Sequence, residues 1–386
     1  MTAQEILQLT EKVNTPFYHY DTEVLKHTLK AINNEISNCE NFHVHYAIKA
    51  NANPQLLSVI NEAGLGADCV SGGEISISLK AGFPPSKIVF AGVGKTDEEI
   101  RLALESGISC FNVESLAELY IIEELAKELG KVANIAFRIN PNIDAHTHEK
   151  ITTGLDENKF GINYGQTLEV IKKSQNLTAI NYTGLHFHIG SQITDLGVYR
   201  ELCKQINRLL DHLEENGIVT QSINVGGGLG IDYHNPDQNP IPDFTSYFDI
   251  FKTELKYRPN QEVHFELGRS IIAQCGSLIT KVLYIKEGVS KNFIIVDAGM
   301  TDLIRPAMYG AYHKIQNLTA LKTDRTETDL YDIVGPICES SDVFIKEETF
   351  PITRRGDILA IRSAGAYGET MSSTYNQRRL PKSIVS

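Results

Sequence analysis

Short apolar runs rich in β-branched residues recur along the first 270 positions, at 43–50, 66–70, 87–92, 110–114, 134–140, 182–190, 222–228 and 263–269. Between them the apolar residues fall at helical spacing, as in 54–63, 96–106, 115–129 and 196–215. Strand-like and helix-like periods therefore alternate eight times. That count predicts an α/β fold, a (β/α)8 TIM barrel. Asp21 or Thr22 can cap an entry helix whose stripe is Leu25, Leu29, Ile32 and Ile36. The run 15–20 before it reads as a strand outside the barrel. After Glu266 the alternation stops, and strand-like runs at 276–285, 293–297, 330–334 and 357–361 follow with few helices. They predict a second, mostly β C-terminal domain, joined by the N-terminal strand. The boundaries read as 24–268 for the barrel and 1–23 with 269–386 for the β domain.

A length of 386 residues suits this division, since a barrel takes about 250 residues. No run approaches the ~18 apolar residues of a membrane span, and the first twenty residues show no basic-then-apolar signal pattern. The six cysteines are scattered with no C-x-x-C pair, which fits reduced thiols and a cytoplasmic protein without a membrane partner. A net charge of −12 argues against nucleic acid, because phosphate neutralisation needs clustered Lys and Arg.

In a barrel the chemistry sits where the strands end. Here those ends carry Lys49, Asp68, Arg138, His188, the glycines 226–228 and Glu266. A lysine facing the barrel is costly to desolvate unless it is paired, deprotonated or covalently used. Imine formation with a carbonyl is one such use, and a solvated strand-end lysine is the bland alternative. Gly226, Gly227 and Gly228 follow strand seven, where barrels commonly bind phosphate through backbone N–H groups. Ser191 and Arg269 could complete such a site. His188 could stack on a planar ring, shuttle a proton, or be a hydrogen-bonded barrel histidine. Glu266 could keep a ring nitrogen protonated, or simply pair with Arg269. The H-x-H pairs at His43/His45 and His186/His188 raise a metal reading. His43 and His45 precede Lys49 and lie deeper in the barrel, however, so no metal is expected. The long irregular segment 141–158 follows strand five, a position where length usually signals function.

Nine motifs recur in a fixed order over nearly the whole chain: HYAIKAN (45–51), GADCVSGGE (66–74), TGLDENKFGI (153–162), GLHFHIGSQ (184–192), NVGGGLG (224–230), ELGRS (266–270), DAGMTDLIRPAMYGAYH (297–313), VGPICESSD (334–342) and AGAYGETMSSTYNQR (364–378). Together they resemble the fold type III pyridoxal-phosphate decarboxylases, in the branch that acts on diaminopimelate. The resemblance implies pyridoxal 5'-phosphate held by Lys49, with His188 on its face and Glu266 at its pyridine nitrogen. Ser191, Gly227, Gly228, Arg269 and Tyr367 would take the phosphate or its surroundings, with Asp68, Arg138 and Gly268 completing the cofactor shell. Arg269, Arg305, Tyr309, Glu339 and Tyr367 would bind the substrate, and Cys338 would handle a proton beside Lys49 and His188. In this family the cysteine and the acid after it reach the partner subunit's site, so a homodimer with shared active sites is implied.

The expected reaction is decarboxylation of meso-2,6-diaminopimelate at its D-centre to L-lysine and carbon dioxide. The substrate's far end carries an ammonium and a carboxylate, and Glu339 with Arg305 and Tyr309 offers both signs. Ornithine, arginine or carboxynorspermidine decarboxylation is the enzymatic alternative, although ornithine relatives place an aspartate after the cysteine. Glu266 argues against a racemase-like activity, where an arginine stands. The β domain argues against a non-catalytic cofactor carrier, and a metal-dependent barrel hydrolase is the last alternative. Three features depart from the family pattern: Leu267 in place of a proline, Val93-Gly94-Lys95 in place of an asparagine-rich stretch, and an end soon after Pro381.

Overall fold

The computed structural model describes residues 2–141, 143 and 159–386. Of the segment 141–158, only Pro141 and Ile143 are among them, so the expectation placed on that segment lies outside the described residues. The chain divides into two compact units, one made of Thr28–Gly230 and Asp243–Ile271, the other of Met1–His27, Ile231–Pro242 and Ile272–Ser386.

Strand β1 (Phe17–Tyr20) belongs to the second of these units. The first holds β2 (Phe42–Ala47), β3 (Gly66–Cys69), β4 (Ile88–Phe90), β5 (Cys110–Val113), β6 (Ala133–Asn140), β7 (Ile162–Asn163), β8 (Ile180–His186), β9 (Ser222–Gly227) and β10 (Glu262–Leu267). All pair in parallel with their neighbours; leaving β7 aside, the other eight form a ring in which β5 joins β6 and β10 returns to β2. The result is a closed eight-stranded parallel barrel, as the alternation predicts; β7 is a two-residue extension beside β6.

Short polar links turn each strand end into a helix start. Ser71, two residues past β3, accepts the Glu74 N–H, and Ser115, two past β5, accepts that of Glu118. Thr96 and Glu99 form a reciprocal capping box, and Asn53 caps Pro54–Glu62, whose proline opens the helix. These side chains satisfy amides that a helix start leaves without partners. On the outer face, Phe265 of β10 packs at 4.9 Å from Phe248 and 5.2 Å from Phe251 of the helix Phe244–Glu254. Such edge contacts add about 0.5–1.5 kcal/mol each beyond burial and fix the strand that carries Glu266.

Several strands are shorter than their apolar runs. β2 ends at Ala47, whose ladder partner is Asp68, and the chain then turns through the 3-10 segment Ile48–Ala50. Lys49 therefore sits on a turn beyond the ladder, a correction to the strand position expected from alternation. Leu267, where the family pattern has proline, is fully buried and pairs with Tyr46 in the last register position of β10 and β2.

The second unit resumes with β11 (Gly276–Lys286), β12 (Asn292–Val296), β13 (Ile315–Asn317), β14 (Thr328–Val334), β15 (Val343–Pro351), β16 (Ile358–Ile361) and β17 (Lys382–Val385). Their sheet runs β13-β16-β11-β12-β14-β15, with β1 beside β11 and β17 beside β1. β1 is thus the N-terminal strand that joins the C-terminal domain. Its Phe17 packs with Ile6, Ile279 and Leu318 in a small core under the helix Ala3–Thr10. Among the described residues no helix is long and apolar enough to cross a membrane.

Candidate active site

The barrel gathers a connected polar group from separate strand ends. Lys49 Nζ donates to Asp68 Oδ2 at 2.9 Å, and Asp68 is completely buried. Burial and the charge of Glu266 push the Asp68 carboxyl up, against the pull of Lys49. Its other oxygen, Oδ1, is buried with no hydrogen-bond partner in the structure.

Glu266, near the end of β10, is held by three side chains. Its Oε1 accepts from Asn224 Nδ2 at 2.7 Å and Asn112 Nδ2 at 3.2 Å, and its Oε2 accepts from His186 Nε2 at 3.1 Å. All four side chains are buried. Burial alone would raise the Glu266 pKa. The charge and hydrogen bond of His186, with Lys49 and His188 behind it, instead hold it well below the usual carboxylate range. Glu266 is thus an ionised carboxylate fixed by three donors, Asn112, Asn224 and His186.

His188 lies past the end of β8 and is half-buried. Burial, then the positive charges of Arg138 and Lys49, push its pKa down to about 3, so its imidazole is neutral at physiological pH. Arg138 is anchored by Glu114 at 3.0 Å and lies over the Phe160 ring at 4.7 Å. Arg269 Nη2 donates to Ser191 Oγ at 3.1 Å, which brings two residues of the expected phosphate site together, and Gly268 O accepts from Ile271 N at 3.0 Å where the chain turns from β10 into Arg269–Ile272.

The glycines at 226–228 are demanded by geometry. A Cβ on Gly227 would lie 1.7 Å from the Glu266 carbonyl oxygen, and one on Gly228, whose φ is +96°, would lie 2.5 Å from the Gly190 oxygen. Neighbouring backbone therefore packs against these glycines more closely than a residue with a side chain would allow. The histidines at the opposite end point elsewhere: His45 Nε2 faces His264 Nδ1 at 2.9 Å, one nitrogen bonded to the other. The described residues hold no group of three or more His, Cys, Asp or Glu arranged for a metal ion.

The remaining candidates lie in the second unit. Arg305, on the short helix Arg305–Tyr309, donates through Nη1 to Tyr233 Oη at 3.0 Å and to His313 Nε2 at 2.7 Å. A guanidinium only donates, so His313 Nε2 accepts and its Nδ1 carries the proton, which it gives to Arg362 O at 3.0 Å. Tyr309, on the same helix, is half-buried. Cys338 is exposed, its amide bonded to Asn376 Oδ1 at 3.2 Å, and Glu339 accepts from Tyr375 Oη at 2.7 Å. Tyr367 has φ +56°, a left-handed conformation that a bulky residue rarely adopts.

Sequence reasoning passed over Asn112 and Asn224, and read His186 only as a metal candidate beside His188. The available signal was weak: each is a polar residue within a barrel strand. Lys95, noted only as a departure, is buried and spends its three donor hydrogens on Gly92 O, Asn112 O and Glu118 Oε1 at 2.6–2.9 Å; its work is to join the ends of β4 and β5.

These residues fit pyridoxal phosphate: a primary amine for its aldehyde, an ionised carboxylate for its ring nitrogen, and glycine backbone with Ser191 and Arg269 for its phosphate. Residues 23–273 match the family model described as pyridoxal-dependent decarboxylase, pyridoxal binding domain. The diaminopimelate decarboxylase of Bacteroides thetaiotaomicron is 58% identical over 374 residues, covering 97% of this chain and 96% of that protein. That of Aquifex aeolicus is 42% identical, covering 96% of this chain and 86% of the relative. The crystal structure of the Helicobacter pylori diaminopimelate decarboxylase complexed with L-lysine superposes with a TM-score of 0.92 at 40% identity, covering 99% and 94% of the two chains. The chain therefore belongs to the pyridoxal-dependent decarboxylases, in their diaminopimelate decarboxylase family.

Proposed function

We propose that this chain decarboxylates meso-2,6-diaminopimelate to L-lysine and carbon dioxide, with pyridoxal 5'-phosphate as cofactor. The observation that carries the reading is Glu266: buried, ionised and pinned by three donors at the mouth of the barrel that holds Lys49. When bound, the cofactor supplies an electron sink for the pair left on the α-carbon as carbon dioxide departs. Glu266, held ionised, would keep a proton on the ring nitrogen and so strengthen that sink. Lys49 supplies the amine that retains the cofactor at rest, and Asp68 fixes where that amine sits. The neutral imidazole of His188 would face the cofactor's ring without adding charge. Gly227, Gly228, Ser191, Arg269 and Tyr367 would hold the phosphate, with Arg138 and Gly268 completing the cofactor's surroundings.

The C–C bond to the carboxylate breaks, the electron pair stays on carbon, and one proton must be returned there; Cys338 is the residue assigned to deliver it. At the substrate's far end, Arg269, Arg305 and Tyr309 take the carboxylate and Glu339 takes the ammonium. Incubation of the loaded enzyme with meso-diaminopimelate should release carbon dioxide and form one L-lysine for each. Lysine formation that is absent under saturating cofactor ends the reading.

A homodimer with shared sites belongs to the same proposal. Cys338 and Glu339 are exposed on the single chain, whereas a proton donor and a charge clamp work best shielded from water. Lys49→Ala and Cys338→Ala chains, each nearly inactive alone, should recover about a quarter of wild-type activity when mixed equally, since half the dimers are mixed and each has one good site in two. No recovery after demonstrated subunit exchange would end the shared-site dimer. A cytoplasmic location accords with the six cysteines, all of them free.

A further inference from the structure

The motif 334–342 supplies Cys338 and Glu339, but its last residue has no assigned part. Asp342 is almost fully buried, and its two carboxylate oxygens hold two different segments. Oδ2 accepts from Ile337 N at 2.7 Å, within its own loop, and Oδ1 accepts from Met300 N at 2.6 Å, in the turn that leads to Arg305 and Tyr309. Its backbone closes the loop further: Asp342 N donates to Glu339 O at 3.1 Å, and Gly335 N donates to Asp342 O at 3.0 Å.

Two glycines make room for this carboxylate. A Cβ on Gly335 would come within 2.3 Å of Asp342 Oδ2, and one on Gly299 within 3.1 Å of the same atom and 2.8 Å of Ile337 Cγ1. The turn starting at Gly299 is itself closed by Asp302, whose Oδ2 accepts from Gly299 N at 2.8 Å. The segments that Asp342 joins also face each other across a groove of about 410 Å3, with Pro306, Ala307 and Gly310 on one side and Ser340, Ser341 and Phe344 on the other. A carboxylate shared between two amides 37 residues apart in sequence is a rigid tie: moving either segment leaves a buried charge short of a donor.

We infer that Asp342 is a positioning residue that locks the Cys338–Glu339 loop to the segment bearing Arg305 and Tyr309, so that the proton donor and the far-end clamp keep one spacing. This rests on the proposed roles of Cys338, Glu339, Arg305 and Tyr309. Asn in place of Asp keeps the shape but turns an N–H2 toward one of the two amides, so one tie is lost while the fold has a near-isosteric side chain.

The test uses the full-length, cofactor-loaded protein with Asp342→Asn, and Gly299→Ala as a second variant that crowds the same contact while keeping the carboxylate. Two readouts are taken on variants shown by circular dichroism to be folded. The first is the rate at which iodoacetamide alkylates Cys338, followed by peptide mass; it should change by roughly threefold or more, because thiol reactivity follows local surroundings. The second is kcat/KM for meso-diaminopimelate, expected to fall by about 10²-fold, the scale of a displaced catalytic group, with cofactor content and absorbance unchanged. A merely structural carboxylate would lower the melting temperature and leave both readouts alone. Wild-type alkylation and wild-type kcat/KM in either folded variant overturn the inference. Full turnover in Cys338→Ala would instead sink the role given to Cys338, and the alkylation result would stand apart from it.

Discussion

Glu266→Gln separates charge from structure at the centre of the barrel. In the wild type, Oε1 takes both asparagine amides and Oε2 takes His186 Nε2. A glutamine carbonyl placed at the Oε1 position keeps the two asparagine bonds and turns its N–H2 toward His186. That would be a clash of donors, except that His186 Nδ1 is buried with no hydrogen-bond partner. With a proton on Nδ1 only, the imidazole can accept at Nε2. Three hydrogen bonds survive, weakened from charge-assisted to neutral, at a cost of about 1–2 kcal/mol in stability. The chemical step loses a preorganised charge, worth about 3–4 kcal/mol or 10²–10³-fold in kcat. The assay is kcat at saturating cofactor and substrate, with a melting curve on the same sample. A kcat within about threefold of wild type, with the cofactor bound, would refute the electrostatic role; gross unfolding would refute the tautomer argument.

Lys49→Ala should abolish both turnover and covalent cofactor retention; borohydride reduction followed by mass spectrometry should trap cofactor on Lys49 of the wild type and on no residue of the variant. Gly227→Ala forces a Cβ to 1.7 Å from the Glu266 carbonyl oxygen, so it should lose about 3 kcal/mol or more and release cofactor readily, and a wild-type melting temperature would show that the close approach is not needed. Burial pushes the Glu74 carboxyl up to about 7. In the cofactor-free protein its protonated form therefore contributes stability that is full in the acid range and falls as pH rises from the ordinary carboxylate range to about 7. The urea midpoint of Glu74→Gln should gain on that of the wild type between pH 5 and 8; parallel curves would contradict the shift.

Much of this was legible in the chain because barrel chemistry is written at strand ends. The eight β-α alternations, the glycines after strand seven, and Lys49, Asp68, His188 and Glu266 all follow from period and position. Asn112 and Asn224 escaped, and His186 was read only as a metal candidate, because their meaning depends on closure. They stand on β5, β9 and β8, and only the parallel pairing that returns β10 to β2 brings all three to one carboxylate. Lys49 was placed one step wrongly for a local reason: the ladder ends at the Ala47–Asp68 pair, and the chain turns before the apolar run does. In the β domain, β15 carries Lys346, Glu347 and Glu348 in mid-strand, and β13 spans only three residues, so neither shows a strand period. Asp342 was hidden by distance, since its partner Met300 is 42 residues away.

The central claim is the substrate. Carbon dioxide release from meso-diaminopimelate, L-ornithine and L-arginine should be measured side by side on the same cofactor-loaded enzyme. If the proposed far-end residues take both a carboxylate and an ammonium, kcat/KM for meso-diaminopimelate should exceed the other two by about 10²-fold or more, since their binding leaves a charge unpaired, and L-lysine should be the product. Ornithine or arginine turned over as fast as meso-diaminopimelate would contradict the account.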